Sequence, residues 1–241
     1  MPETAQPLLS ADPALARFAD IRSWVFDLDD TLYPRHTGLF DQVSERISLY
    51  VQRRLSLTPE QANSVRGDFY RRYGTTLRGL IVEHGIEPDA FLDFVHDIDH
   101  SPLAADPSLV AAIESLPGRR FVLTNGSWSH AEKILAKLGF SGQFNDIFDI
   151  IRADFVPKPH PDTYARFLGQ NSIDPTSAVM FEDLPRNLEV PKSLGMATVL
   201  IVPRGTNAVP VEAWETAANG AHIDHLTDDL GAFLARLPPG R

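Results

Sequence analysis

The sequence has no cysteine among its 241 residues. Disulfide bonds, thiolate catalysis and cysteine-based metal sites are therefore excluded. The sequence also lacks any apolar run approaching the roughly 20 residues that span a bilayer. Residues 1–20 have neither the basic start nor the long apolar stretch of a signal peptide. These absences predict a soluble cytoplasmic protein that has no membrane partner.

Basic residues are scarce relative to acidic ones. The chain has 22 lysines and arginines against 32 aspartates and glutamates, which gives a formal net charge of −10. Such a field repels a DNA or RNA polymer, and no basic stripe interrupts it. An anionic metabolite needs a local cationic site within this acidic body. The apolar share of 43% is enough for a folded core, and the length fits one large domain or a core with an insert.

Short apolar runs predict the strands of a parallel sheet. Four strong runs lie at 23–28, 120–124, 178–183 and 197–202, and a weaker one lies at 149–151. Helical patterns fall between them. One helix is predicted to begin at Ser129, with Glu132 completing a capping box, and to end at Gly139. Another covers 161–168. Alternating strands and helices predict an α/β fold, a doubly wound parallel sheet with a Rossmann-like core.

Residues 38–99 interrupt this alternation with helical periodicity and no strand run. Thr58 and Gln61 form a capping box around Pro59, which marks a strong helix start. Further helices are predicted at 76–83 and 88–95. We therefore expect an all-helical cap domain at 35–103, inserted into an α/β core made of 1–34 and 104–241.

Polar residues follow the predicted strands at the edge where ligands bind in doubly wound sheets. Taken singly, each has an ordinary explanation as a helix cap, a turn or a surface lysine. Their common order, with three groups closing apolar strands, instead indicates one site. The residues are Asp27, Asp29, Thr124, Asn125, Lys158, Glu182 and Asp183.

The chemistry of this set suits phosphoryl transfer. A phosphomonoester repels a bare carboxylate, and a divalent cation held by Asp27 and Asp183 offsets that repulsion. Asp27 is then placed to attack phosphorus. Asp29 is placed to protonate the leaving oxygen and later to deprotonate water. Thr124 and nearby backbone N–H groups can hold the phosphate, and Lys158 supplies a fixed positive charge.

The four motifs resemble those of the haloacid dehalogenase-like hydrolase superfamily and span most of the chain. They are 27–31, 124–125, 158–161 and 182–183. The resemblance implies that Asp27 is the nucleophile, Asp29 the acid/base and Lys158 a catalytic lysine. It also implies that Thr124 and Asn125 bind phosphate. The implied cofactor is Mg²⁺, with Asp27, the backbone carbonyl of Asp29, and Asp183 as ligands. The insert resembles the family's mobile cap.

A closer resemblance is to the pyrimidine 5′-nucleotidase branch, through residues 27–33, 70–80 and 130–139. It implies a small-molecule substrate such as UMP or CMP. The alternative is a sugar-phosphate or phosphoglycolate-type phosphatase. Asp29 argues against a 2-haloacid dehalogenase, which generally lacks that carboxylate. The intact set of acids and lysine argues against a non-catalytic binding protein.

Two positions depart from the branch. Glu182 stands where the branch usually has aspartate, so we assign the metal to Asp183 and expect Glu182 to support it from outside. Pro191 falls inside a helix expected at 185–194, which implies a kink or a later start and leaves a supporting role for Asn187 open.

Several further residues have two readings. In the cap, Tyr70, Arg71, Arg72 and Tyr73 either contact a base or ribose or form a packed aromatic face with solvated arginines. The segment 96–100 is read as a polar hinge rather than a metal cluster. Trp128 either stacks on a base or packs against the core. His160 either contacts phosphate or is an ordinary loop histidine. Arg35 and His36 lie near the expected hinge.

Overall fold

The protein, in a computed structural model, is described for residues 13–205, 220–238 and 240. The prediction that there is no signal peptide concerns mainly residues 1–12, which lie outside the described residues. A 3-10 helix, Pro13–Asp20, leads into the first strand. No helix in the described part of the chain is both long and apolar enough to cross a bilayer.

A six-stranded parallel sheet forms the centre of the fold. Its strands are β1 (Ser23–Phe26), β2 (Arg119–Leu123), β3 (Asp146–Phe148), β4 (Ala178–Glu182), β5 (Ala197–Ile201) and β6 (His225–Thr227). Their order is β3-β2-β1-β4-β5-β6. In the register, Phe26 of β1 pairs with Val122 on one side and Phe181 on the other. The carboxyl ends of the three middle strands therefore lie side by side.

Helices connect the strands. The core helices are α5 (Pro107–Glu114), α6 (Trp128–Leu138), α7 (Pro161–Asn171), α8 (Glu189–Ser193) and α9 (Leu230–Leu234), and the insert contains α1 (Leu39–Leu55), α2 (Pro59–Tyr73), α3 (Thr76–His84) and α4 (Pro88–Val95). Short 3-10 helices lie at Arg35–Thr37, Pro175–Ser177 and Pro185–Leu188. The predicted α/β fold with a helical insert is confirmed.

Alternation along each strand separates two apolar layers, one on each face of the sheet. Trp24 and Phe26 point into one layer, while Val25 points into the other. Both faces are covered by helices, so the strands β1, β4 and β5 are buried along their whole length and consist mainly of apolar residues, as parallel strands usually do. The helices α1 to α4 build a third apolar cluster with members such as Phe69 and Phe91. The exact boundaries 35–103 stay a prediction.

Two strand assignments differ from the sequence analysis. The predicted strand at 149–151 is wrong, because the strand is β3 and Asp149 begins a turn. The Asp149 carboxylate accepts hydrogen bonds from the backbone N–H groups of Trp128, at 2.8 Å, and Arg152, at 3.0 Å. Strand β6 was not predicted, because its three residues include His225 and carry no apolar run.

The start of α6 also differs. The predicted cap at Ser129 is wrong, because Ser127 occupies the N-cap position and its hydroxyl accepts from the His130 N–H. Ser129 lies inside the first turn. The predicted end at Gly139 is confirmed by its left-handed conformation, with φ of 91°. The capping box of α2 is also confirmed, with both the Thr58 and Gln61 side chains bonded as expected.

Pro191 is accommodated by a late helix start. A 3-10 turn ends at Leu188, and α8 begins at Glu189. Pro191 is therefore the third residue of α8, a position whose N–H has no partner within a helix. The missing N–H of proline therefore costs no hydrogen bond there. Of the two predicted outcomes, a kink or a later start, the structure has the later start.

The packing of α3 against α2 yields the first test. A Cβ built at Gly79 would lie 2.3 Å from Cγ of Phe69, whereas a Cβ at Gly169 of α7 meets nothing within 4 Å. We expect Gly79→Ala to lower the free energy of unfolding by about 1–3 kcal/mol through overpacking. Gly169→Ala is the matched control, and we expect it to raise stability by about 0.5–1 kcal/mol through helix propensity. Urea melts followed by circular dichroism measure both, and equal midpoints would contradict the close packing.

Candidate active site

The carboxyl ends of β2, β1 and β4 bring polar residues close together. Asp27 follows β1 and its N–H bonds to the Phe181 carbonyl at 2.9 Å, so the ladder continues one residue past the strand. Thr124 follows β2 in the same way, and its N–H bonds to the Phe148 carbonyl at 3.0 Å. Glu182 ends β4. The fold therefore fixes the backbone at each of these positions.

Lys158 enters this point from the loop before α7 and is 1% exposed. Its ammonium lies 2.6 Å from Oδ1 of Asp27 and 2.8 Å from Oε1 of Glu182. Burial acts to lower the pKa of Lys158, but the charges of these two carboxylates outweigh burial and raise it above its ordinary value. The lysine is therefore a buried, fixed cation.

Asn125 holds the loop that carries this lysine. Its Oδ1 accepts from the Lys158 N–H at 2.8 Å, and its Nδ2 donates to the Lys158 carbonyl at 3.2 Å. Both polar groups of the side chain are therefore used on the backbone of Lys158. The neighbouring Thr124 is buried, and its Oγ1 accepts from the Gly126 N–H at 2.9 Å. Thr124 and Asn125 both line the cavity described below.

Glu182 is fully buried and fully bonded. Its Oε1 accepts from Lys158 and from Nδ2 of Asn187 at 2.6 Å, and its Oε2 accepts from the Leu184 N–H at 2.7 Å. A carboxylate whose oxygens already accept from three donors is suited to positioning the lysine. Asn187, whose role the sequence left open, contacts Glu182 directly and is itself buried.

A cluster of acids in the site suits a divalent cation. Carboxylate oxygens of Asp27, Glu182 and Asp183 lie within 4.8 Å of one another, and no other group of metal-binding side chains occurs among the residues described. Oxygen ligands of this kind are those that Mg²⁺ prefers. Because Glu182 is occupied by N–H donors, Asp27 and Asp183 are the two side chains that fit the ion. The segment 96–100 forms no such group.

The electrostatics of the cluster point the same way. Burial raises the pKa of Asp27 to about 8, and the carboxylates of Glu182 and Asp29 add to the effect, while Lys158 opposes it. Burial likewise raises the pKa of Asp183, with Glu182 and Asp27 adding to it. One lysine does not balance this many acids, so the site favours additional positive charge.

Asp29 lies beside the cluster and is held by two partners that sequence reasoning missed. The Tyr33 hydroxyl donates to its Oδ1 at 2.5 Å, and Nε2 of His130 lies 3.2 Å from the same oxygen. Burial acts to raise the pKa of Asp29, but the charge of His130 and the hydrogen bonds from His130 and Tyr33 outweigh it and lower the pKa. Both partners lie in stretches, 27–33 and 130–139, on which the closer resemblance to one branch rests in the sequence analysis.

His130 is in turn fixed by packing. It is 1% exposed, and its ring stacks on His96 at a centroid distance of 4.1 Å. Nδ1 of His96 lies 3.0 Å from the Ser127 hydroxyl. Burial and the charge of His130 lower the pKa of His96 to about 3. The stack therefore links the end of α4 to the start of α6, and it fixes the orientation of the His130 ring that contacts Asp29.

A cavity of about 540 Å³ opens over these groups. Its floor contains Asp27, Asp29, Lys158 and Asp183, and its roof is formed by the helices of the insert. Its lining is mostly apolar above the acidic floor. The arrangement encloses a charged reacting end and a larger apolar space for the rest of a ligand.

Most of the other candidates lie elsewhere. Tyr70 and Arg35 line the cavity, and Arg35 is 3.8 Å from Oδ2 of Asp30. Arg71 is exposed, and Arg72 pairs with Asp68 and Glu83 on the outer face, where the Tyr73 hydroxyl also donates to Glu83. Trp128 is 47% exposed, His160 caps α7, and His36 belongs to the turn Arg35–Thr37. None of these six residues lines the cavity.

The insert contacts the core through Arg186, which sequence reasoning also missed. Its Nη2 donates to the Gly74 carbonyl at 3.0 Å, and its guanidinium lies 3.7 Å from the ring centroid of Tyr70. A Cβ at Gly74 would lie 3.1 Å from Pro157 and 3.4 Å from the Lys158 carbonyl. A glycine with φ of 86° therefore allows α2 to end directly against the lysine loop.

Comparison with known proteins begins with the family model. The model for haloacid dehalogenase-like hydrolases matches residues 21–195. Phosphate metabolism protein 8 of Saccharomyces cerevisiae is 25% identical over 207 residues, which is 78% of this chain and 63% of that protein. Fructose-1-phosphate phosphatase YqaB of Escherichia coli is 34% identical over 95 residues, 38% of this chain and 49% of that protein. The matches therefore span less than two thirds of these relatives.

Solved structures give the same fold. A phosphatase from Thermococcus onnurineus superposes with a TM-score of 0.58 at 15% identity, covering 92% of this chain and all of that one. L-2-haloacid dehalogenase from Xanthobacter autotrophicus superposes with a TM-score of 0.55 at 18% identity, covering 89% and 97%. Because enzymes with different names share it, the fold alone does not define the reaction.

The buried lysine yields the second test. We expect Lys158→Met to lower the free energy of unfolding by about 3–5 kcal/mol, because it leaves two buried carboxylates without their counter-charge. Lys137→Met, on the exposed face of α6, is the matched control. Thermal and urea melts at neutral pH in EDTA measure both. Equal stability of the two variants would contradict the central position of Lys158.

Proposed function

The chain belongs to the haloacid dehalogenase-like hydrolases, and we propose that it is a Mg²⁺-dependent phosphatase acting on small phosphomonoesters. The observation that carries the proposal is the second carboxylate. Asp29 opens on the same cavity as Asp27 and is held by Tyr33 and His130. A nucleophile alone is enough to displace a good leaving group, whereas the alkoxide of a phosphate ester needs an acid beside it.

The proposed reaction has two steps. A carboxylate oxygen of Asp27 attacks phosphorus, an aspartyl-phosphate forms, and the P–O bond to the alcohol breaks. The leaving oxygen takes a proton from Asp29, whose protonated form is favoured by the negative charge of the bound phosphate against the lowering effect of His130 and Tyr33. Water then attacks the aspartyl-phosphate while Asp29 takes a proton back, which releases inorganic phosphate and restores Asp27. The same side chain serves as acid and then as base, so its fixed orientation matters in both steps.

The charge balance of the site supports a phosphate dianion. Lys158 supplies a donor beside Asp27, and Thr124, whose hydroxyl can also donate, lines the same cavity. Asp27 and Asp183 would hold Mg²⁺, which would neutralise part of the phosphate charge and orient the phosphate. A ligating Asp29 carbonyl and a phosphate contact from Asn125 stay predictions. The bonds that Asn125 makes support a role in positioning Lys158.

For the substrate class, we propose pyrimidine nucleoside 5′-monophosphates. The cavity volume is in the range of small-molecule sites, and its roof offers aromatic and aliphatic side chains that suit a flat ring. Tyr70, in the stretch that resembles the pyrimidine 5′-nucleotidases, lies in that roof. A sugar phosphate is the second candidate, favoured by the similarity to a fructose-1-phosphate phosphatase.

The remaining alternatives have less support. A 2-haloacid dehalogenase needs no acid at the position of Asp29, and a binding protein needs neither that acid nor the buried lysine. The absence of nucleic acid among its partners and a cytoplasmic location stay predictions.

The third test is phosphate release from a panel of nucleotides and sugar phosphates, each with Mg²⁺ and with EDTA. We expect Mg²⁺-dependent turnover that is fastest with UMP or CMP. Asp27→Asn removes the nucleophilic charge at nearly constant volume, and we expect turnover to fall by at least about 1,000-fold. Preference for a sugar phosphate rejects the nucleotide class and keeps the chemistry. Halide release from 2-haloacids without phosphate release rejects the phosphatase.

The fourth test addresses the acid/base step. We expect Asp29→Asn to slow hydrolysis of an alkyl phosphate by about 10²–10⁴-fold, because a poor leaving group needs the proton. p-Nitrophenyl phosphate has a good leaving group, so its first step should lose much less. Asp93→Asn makes the same change at an exposed site of α4 and is the control. Equal losses on the two substrates in single-turnover measurements would remove Asp29 from this role.

A further inference from the structure

One face of α2 forms part of the cavity roof. Asn63, Arg66, Gly67 and Tyr70 line the cavity at the spacing i, i+3, i+4 and i+7, which places them along one side of the helix. Tyr70 lies nearest the core, where it contacts Arg186. Arg66 lies one turn further from the core along the same face.

Helix geometry separates the backbone of Arg66 from the Lys158 loop. Gly74, at the end of α2, contacts the Lys158 loop. Arg66 lies eight residues earlier in the chain, which is roughly 12 Å along the helix axis. A ligand that reaches both Asp27 and Arg66 therefore has its phosphate at one end and a second polar group well away from it.

Arg66 is held ready rather than neutralised. Its Nη2 donates to Ser44 at 2.8 Å and its Nη1 donates to Ser48, whose hydroxyl also donates to Asn63 at 2.9 Å. Burial lowers the pKa of the Arg66 guanidinium, and no acidic side chain in the described part of the chain offsets that effect. Its buried Nε has no hydrogen-bond partner there.

The chemistry of this roof selects the kind of group it receives. Arginine offers only donors, so the ligand must bring oxygen or nitrogen lone pairs. The neighbouring roof residues Val43, Ile47 and Phe91 are apolar and accept a flat ring better than a polyol. A ring that carries a carbonyl oxygen meets both demands, whereas a sugar phosphate presents hydroxyl groups and little apolar surface.

We propose that Arg66 recognises the substrate's far end by donating hydrogen bonds to a carbonyl oxygen of a pyrimidine base. This inference rests on the proposed function, because it names the residue that distinguishes a nucleotide from a sugar phosphate at the same site. Asn63 and the two serines position the guanidinium, and Asp27 and Asp29 act on the other end of the molecule.

The test compares two substrates that share the phosphate and the ribose. UMP carries the base, and ribose 5-phosphate lacks it. We expect Arg66→Gln to lower the ratio of kcat/KM for UMP to kcat/KM for ribose 5-phosphate by at least about tenfold, because a charge-assisted hydrogen bond to the base is lost. Arg54→Gln makes the same change at an exposed position near the end of α1 and should leave the ratio unchanged.

A second variant guards against loss of the fold. Arg66→Lys keeps the charge and loses the fork of donors, and we expect an intermediate ratio. A ratio that neither variant changes, including equal losses on both substrates, overturns the inference. A wild-type enzyme that hydrolyses ribose 5-phosphate in preference to UMP instead overturns the proposed nucleotide class. The two failures are therefore distinguishable.

Discussion

The buried contact of Lys158 with Asp27 and Glu182 is the interaction on which the rest of the site depends. It joins the ends of β1 and β4 to a loop that has no strand of its own. The ends of a parallel sheet converge, so they bring carboxylates together whether or not their charges suit one another. The buried Lys158 ammonium offsets the repulsion between these carboxylates. Asn125 supports it by bonding to the Lys158 backbone, and Asn187 supports it by bonding to Glu182.

The insert is tied to the same contact from above. Gly74 ends α2 against Pro157 and the Lys158 carbonyl, and Arg186 reaches from the core to Gly74 and Tyr70. The loop that carries Lys158 is therefore also the surface against which the helices of the insert pack. Asp27 is 7% exposed and Lys158 is 1% exposed, and this burial strengthens the electrostatic interaction between them.

Sequence patterns predicted the features that local chemistry determines. Apolar runs located β1, β2, β4 and β5, and Thr58 located the start of α2, because each signal lies within a few residues. β6 and the true cap of α6 were missed, since a three-residue edge strand has no pattern and Ser127 and Ser129 look alike in sequence. The contacts of His130 and Arg66 depend on packing between segments that are separate in the chain, whereas Tyr33 bonds to Asp29 only four residues away and was missed because no pattern marks such a bond. The bonding of Glu182 by Lys158 and Asn187 likewise depends on the folded chain.

The apolar cluster inside the insert has a consequence for how such enzymes diverge. Helices α1 to α4 are stabilised by contacts largely among themselves, and the hydrogen bonds of Asn63 and Arg66 are made within the insert. These two cavity-lining side chains of α2 can therefore be exchanged without disturbing the sheet edge. Substrate selectivity then depends on α2, whereas the chemistry depends on the residues at the sheet edge. A change of substrate then requires only a few replacements along one helical face, while Lys158 and the acids at the sheet edge keep their positions.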